Sequence, residues 1–196
     1  MLQVIIGLLV LATGGPAYAA TIAGQVHCTT LANSANAVVS LVGLDPAETH
    51  FELAEEDVIM DQYNLTFVPF VLPIIKGTRV AFPNSDEVRH NVFSPSKTKR
   101  FNLGTYPQGT VRHVVFDQPG VVALLCNVHH QMSAYIVVTE TPFFAVTDLE
   151  GRFEIKNVPP GRYVLKTWHE KLPSTSREIT VTDSSEALTV EIELED

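Results

Sequence analysis

The chain has 196 residues, 45% of them hydrophobic and 18% charged, enough apolar material for one large or two small packed domains. Lys plus Arg number 13 against 22 for Asp plus Glu, and the formal charge of −9 excludes the basic face that a nucleic-acid partner requires. Such acidity suits a soluble surface or recognition of a basic partner.

The first residues, Met1–Ala20, are uncharged and apolar. The run Leu2–Ala12 is too short to cross a bilayer. Ala17-Tyr18-Ala19 then supplies a small-x-small cleavage pattern, so residues 1–19 read as a signal peptide cut near Ala19/Ala20. The expected product is periplasmic or otherwise exported, with no membrane span in the mature chain. No Lys or Arg precedes the apolar run, and a buried first strand or an uncleaved anchor are the alternatives.

Beyond Ala20, Gly and Pro punctuate short β-branched runs, and no helical periodicity lasts three turns. Strands are expected at Thr21–His27, Ala37–Val42, Asp57–Met60, Leu65–Val68, Thr78–Phe82, Val111–Phe116, Gly120–Cys126 and Ala134–Thr139. Arg152–Ile155, Tyr163–Thr167, Ser176–Val181 and Leu188–Leu194 follow. Short strands at this spacing predict an all-β sandwich protein. Asp45–Glu56 reads as an acidic loop or a short helical turn, and Ser94–Lys99 as an exposed loop. Asp148-Leu149-Glu150-Gly151 and Pro159-Pro160-Gly161 are turn sequences. The tail from Thr141 alone is small for an independent core.

Chemistry concentrates in Cys126-Asn127-Val128-His129-His130-Gln131-Met132. A strand ending at Cys126 delivers a thiolate to the sandwich rim, and the loop after it can return an imidazole and a thioether to the same point. That donor set suits copper, because thiolate favours Cu(I) and imidazole accepts both oxidation states. A trigonal site of this type needs a second histidine from elsewhere, and His90, opening an apolar run after a polar turn, is the candidate. His130 competes with His129, although the three-residue step from Cys126 favours His129. Met132 taken alone reads as core, Asn84 as a turn residue, and His27, His50 and His113 as surface histidines. A Cys28–Cys126 disulfide is the serious alternative to a copper thiolate in an oxidising compartment. A Cys/His nucleophile pair lacks an evident oxyanion hole, and a thioether is a poor zinc ligand. No Gly-rich phosphate loop is present, and Glu55-Glu56 reads as a solvated acidic face.

The stretches Phe82–Ser94 and Pro119–Val138 resemble the two copper loops of cupredoxins of the plastocyanin, amicyanin and pseudoazurin group. The resemblance covers roughly Asp57 to Thr139. It implies an eight-stranded Greek-key sandwich and one mononuclear copper, cycling between Cu(I) and Cu(II), on His90, Cys126, His129 and Met132. It also implies a backbone hydrogen bond from Asn91 to the Cys126 sulfur, and Asn84 tying the two loops together. The implied activity is one-electron transfer to an unidentified redox partner protein through His129, with no enzymatic reaction. A copper-holding or adhesion/scaffold protein is the rival reading.

The tail from Phe143 to Pro173 resembles the second half of carboxypeptidase-regulatory-like (transthyretin-like) sandwiches. The matching first half stands at Gly24-Gln25-Val26 and Ala37–Leu41. Taken whole, the chain resembles plastocyanin-like proteins associated with methylamine utilisation. The expected organisation is a signal peptide at 1–19, accessory strands at 20–50, a copper domain at 51–140 and the rest of the accessory sandwich at 141–196. In this reading the second small sandwich is split around the first, with a tandem arrangement as the alternative. Trp168-His169-Glu170 reads as a core Trp beside a surface His-Glu pair.

Overall fold

A computed structural model describes residues 19–43, 51–53, 55–183 and 187–195. Residues 1–18 of the expected signal peptide, and 44–50 and 54 of the acidic stretch, His50 among them, lie outside the described residues. Every regular element described is a strand. First come β1 (Ala20–Cys28) and β2 (Val38–Gly43). Next are β3 (Val58–Ile59), β4 (Asp61–Tyr63), β5 (Thr66–Val68), β6 (Val71–Ile75), β7 (Thr78–Pro83), β8 (His90–Ser94), β9 (Phe101–Tyr106), β10 (Val111–Phe116), β11 (Gly120–Leu125) and β12 (Ser133–Thr139). Last are β13 (Phe144–Val146), β14 (Arg152–Val158), β15 (Gly161–Trp168), β16 (Thr175–Val181) and β17 (Leu188–Leu194). The described fold is all-β, as the spacing of short β-branched runs predicts.

These strands build two sandwiches. In one, a sheet of order β10-β7-β3 faces a sheet of order β6-β12-β11-β8-β9, with the β4-β5 hairpin at its end. Its core holds Phe82, Val92, Tyr106, Phe116, Leu124 and Ile136, and includes Cys126 and Met132. The other has sheets of order β14-β1-β17 and β13-β2-β15-β16 around Ile22, Val26, Leu41, Ile155, Leu165 and Leu194. Its first two strands and last five are therefore joined by pairing across the whole intervening sandwich. β1 lies antiparallel to β14 and parallel to β17, and β2 lies between β13 and β15.

Burial follows from which faces are covered. In β17, Val190, Ile192 and Leu194 are buried between exposed Thr189, Glu191 and Glu193, the period-two pattern of a sheet with one wet face. In β12, Ala134, Ile136 and Val138 enter their own core, while Val137 joins Val38 and Val71 in a small cluster with Phe70, Tyr135 and Trp168. The Tyr135 and Trp168 rings lie 5.2 Å apart across this seam between the sandwiches. Both faces of β12 are covered, so its sequence is apolar at nearly every position.

Two glycines are fixed by close approach. A Cβ at Gly24 would lie 1.8 Å from the Val190 carbonyl oxygen, so β17 can lie against β1 only if that position is bare. Gly151 has φ +82° and would place a Cβ 2.0 Å from the Val26 oxygen. It closes the expected turn, in which Asp148 Oδ1 accepts the Glu150 and Arg152 N–H groups at 3.0 and 2.8 Å.

His169 departs from expectation, being buried rather than on the surface. The Lys171 N–H donates to its Nδ1 at 3.2 Å, and the ring also bonds the Ala35 backbone, fastening the end of β15 to the β1–β2 connection. Burial pushes its pKa down; Glu170 and the Ala35 bond act the other way, Lys171 adds to the lowering, and the net shift is below the ordinary histidine value. The unfolded chain therefore binds more protons just below about pH 6.5, and stability falls as pH drops from there towards the folded value. In urea unfolding followed from about pH 7 to 5, the wild-type midpoint should fall more steeply than that of His169→Asn, which lacks this titration. Parallel slopes would show that His169 is not held neutral.

Candidate metal centre

Four side chains expected to act together come from three adjoining strand ends. His90 is the first residue of β8 and is fully buried. Cys126 follows β11 directly and is buried in the same core, Met132 precedes β12 and is also buried there, and His129 between them is half-buried. β11 and β12 are antiparallel neighbours, and β8 lies on the other side of β11, so the three strand ends meet at one pole. The loop is closed by two backbone bonds, Met132 N–H to the His129 oxygen at 3.1 Å and Cys126 N–H to the Met132 oxygen at 3.3 Å.

This closure turns His129 inward and leaves His130 exposed. One ligand atom each from His90, Cys126 and His129 lies within 4.8 Å of the others. The two imidazoles face each other through their Nδ1 atoms, 3.0 Å apart. Two nitrogens each bound at roughly 2.0–2.1 Å to one ion stand about 2.9–3.4 Å apart for angles between square and tetrahedral. Loading with Cu(II) should therefore be abolished or opened to solvent in His129→Ala and nearly unchanged in His130→Ala, read in the visible and paramagnetic resonance spectra. The reverse pattern would mean that the loop register is misread.

The tautomer of His90 also fits a metal. Its Nε2 lies 2.7 Å from Asp86 Oδ2, and a carboxylate can only accept, so Nε2 carries the proton and Nδ1 presents a lone pair towards His129. Burial raises the Asp86 pKa, but the Leu65 N–H, the His90 ring and the Asn64 N–H together hold the carboxyl below its usual range. Asp86 was not singled out from sequence. A carboxylate four residues before a candidate ligand histidine, inside the same polar turn, is the signal that points to it.

Two supporting contacts implied by the family resemblance take a different form. The hydrogen bond that the Cys126 sulfur accepts in the structure comes from the Val128 N–H, at 3.4 Å, where the resemblance implied Asn91. The Asn91 side chain instead donates to Asn102 Oδ1 at 2.8 Å, on β9. Asn84 does not tie the two loops together. Its Nδ2 donates to the Val88 oxygen at 2.9 Å and the Tyr106 oxygen at 3.1 Å, and its Oδ1 accepts the Asp86 N–H at 3.0 Å. It closes the His90 turn on itself and onto β9. Both cysteines are free thiols, Cys28 in the core of the accessory sandwich and Cys126 in the other. His27 is half-buried and His113 exposed, paired with Glu191 and Asp57 respectively.

The family model for domain II of polysaccharide lyase family 4 matches residues 114–189, a stretch that crosses from one sandwich into the other. No curated protein matches the chain. The solved structures that match include a copper-containing nitrite reductase and cupredoxins. A copper-containing nitrite reductase from Thermus scotoductus is 26% identical over 51% of this chain, at a TM-score of 0.42, and the match spans 28% of the reductase chain. A purple cupredoxin from Nitrosopumilus maritimus is 26% identical over 42% of this chain and all of its own, at 0.38. A reduced amicyanin variant is 19% identical over 52% of this chain and 98% of its own, at 0.41. The geometry of the centre stands independently of these alignments.

Proposed function

We propose that the chain is an exported one-electron carrier whose copper is held by His90, Cys126, His129 and Met132. The observation that carries this reading is the convergence of a buried thiol and two imidazole Nδ1 atoms at one pole. When bound, copper would supply a one-electron couple between Cu(II) and Cu(I). The protein's part is to hold the donors in one geometry for both oxidation states. Cys126 is fixed by the backbone closure of its loop, and His90 by Asp86 and full burial. Met132, buried in the same core, would add a weak thioether donor. The site excludes bulk water except on the His129 side, where His129 is half-buried beside exposed Val128. That edge is where electrons enter and leave, to a redox partner protein.

Ala20, the first residue of β1, is buried, so cleavage near Ala19/Ala20 leaves the strand whole, in keeping with export to the periplasm. The test is the visible spectrum and redox titration of the full-length, copper-loaded protein. An intense thiolate-to-copper band that bleaches and returns reversibly is expected. A colourless protein that takes only Cu(I) would make it a copper-holding protein instead.

A further inference from the structure

The turn between β4 and β5 consists of Asn64 and Leu65, with φ of 52° and 57°. This is the two-residue left-handed turn that suits a twisted hairpin and in which glycine commonly takes the second place. A leucine there is strained, because its Cβ crowds the following carbonyl oxygen. Adjacent N–H groups in such a turn make a concave seat for an anion. Asp86 occupies it. Its Oδ1 accepts the Asn64 N–H and its Oδ2 the Leu65 N–H, both at 2.8 Å. The same Oδ2 accepts the His90 Nε2–H at 2.7 Å. Ser85 fastens the neighbouring residues to the hairpin, its hydroxyl donating to Asp61 Oδ2 at 2.8 Å and its N–H to the Gln62 oxygen at 3.0 Å. One carboxylate thus joins a fully buried histidine to a surface turn whose Tyr63 and Leu65 are 60% and 38% exposed.

We propose that Asp86 is a positioning residue through which the shape of the Asn64-Leu65 turn sets the donor strength of His90 and hence the reduction potential of the copper. This rests on the copper-carrier reading above. A carboxylate on Nε2–H makes Nδ1 a stronger donor and favours Cu(II). The two turn N–H groups draw charge from that carboxylate and temper the effect. Anything that reshapes the exposed turn, a redox partner included, therefore moves the potential, and by reciprocity the copper's oxidation state moves the turn.

The full-length, copper-loaded protein tests this with variants of opposite expected sign. Asp86→Asn removes the anion and should raise the potential by at least the ~59 mV that a tenfold change in a one-electron couple represents. Asn64→Pro cannot adopt the positive φ, frees the carboxylate from the turn and should lower the potential. Leu65→Gly keeps both N–H groups and should leave it unchanged. In the metal-free protein, nitrogen NMR should show His90 protonated at Nε2 in wild type and a mixture of tautomers in Asp86→Asn. An Asp86→Asn protein with wild-type potential and wild-type tautomer overturns the proposal, as do potential shifts of the same sign in Asp86→Asn and Asn64→Pro. If the variants do not fold, amide exchange of Asn64 and Leu65 in wild type decides: different rates in the Cu(I) and Cu(II) states support the coupling, equal rates refute it. If wild type never binds copper, the carrier reading fails while the tautomer measurement still judges Asp86.

Discussion

Cys126→Ser loaded with Cu(II) is expected to be colourless where wild type is intensely coloured, and to lose more than the ~100-fold in copper affinity that removing an outer hydrogen-bond partner can cost. The reason is the donor chemistry. A buried thiolate is the single strong, anionic, soft ligand of the set, and a serine hydroxyl stays protonated near neutral pH and binds weakly. Cys126 sits within 4.8 Å of both imidazole nitrogens, and the other cysteine, Cys28, lies in the other sandwich, so no other thiol can take its place. Cys28→Ser is the control. Cys28 packs in the core of the other sandwich and should affect only stability, by about 1–3 kcal/mol for a hydroxyl placed among apolar neighbours. Colour that survives in Cys126→Ser, or vanishes in Cys28→Ser, would remove the thiolate from the centre.

Truncation to residues 51–196 should abolish the folding of the accessory sandwich while leaving the inserted sandwich able to fold. β1 is the middle strand of β14-β1-β17, so without it β14 and β17 have no hydrogen-bonded neighbour in that sheet. β2 lies between β13 and β15 in the opposite sheet. Their loss also removes Ile22, Val26, Val39 and Leu41 from the core, all fully buried. At roughly 2–5 kcal/mol for each large aliphatic side chain, this is comparable to the 5–15 kcal/mol that holds a whole domain together. Residues 51–140 alone contain every described strand of the inserted sandwich and should give a cooperative melt and the same visible spectrum. Calorimetry of the full chain, of 51–196 and of 51–140 checks this. A cooperative accessory transition in 51–196 would mean that the tail is self-sufficient.

What could be read from the sequence depended on whether a local pattern carried the physics. β10 and β17 appear at their expected limits because β-branched residues fill both and turn residues bound them. β6 was missed because Pro73 interrupts it; the strand tolerates proline because it is an edge, paired only with β12. β9 was missed because Asn102 and Gly104 break its pattern, and it too is an edge. β4 is short and polar, held by pairing with β5 rather than by burial of alternate residues. At the centre, the Cys126–Met132 window was legible because all its donors are local. Asp86 was not, since its meaning lies in three partners from two segments, and neither was the burial of His169, which depends on a bond to Ala35.

The pairing of β1 with β17 also sets an order of events. The first strand described is joined in parallel to the last one described, and neither β1 nor β2 has a hydrogen-bonded neighbour strand until β13 to β17 exist. The inserted sandwich is complete once β12 has emerged and can fold first. Meanwhile two apolar strands remain with open edges, a state that invites pairing with other chains. A chain growing at about 5–20 residues per second holds that state for several seconds or more. Partial chains ending before β17 are thus the most aggregation-prone forms of this protein, and a chaperone that shields β1 and β2 would act on the biosynthetic intermediate rather than on the finished fold.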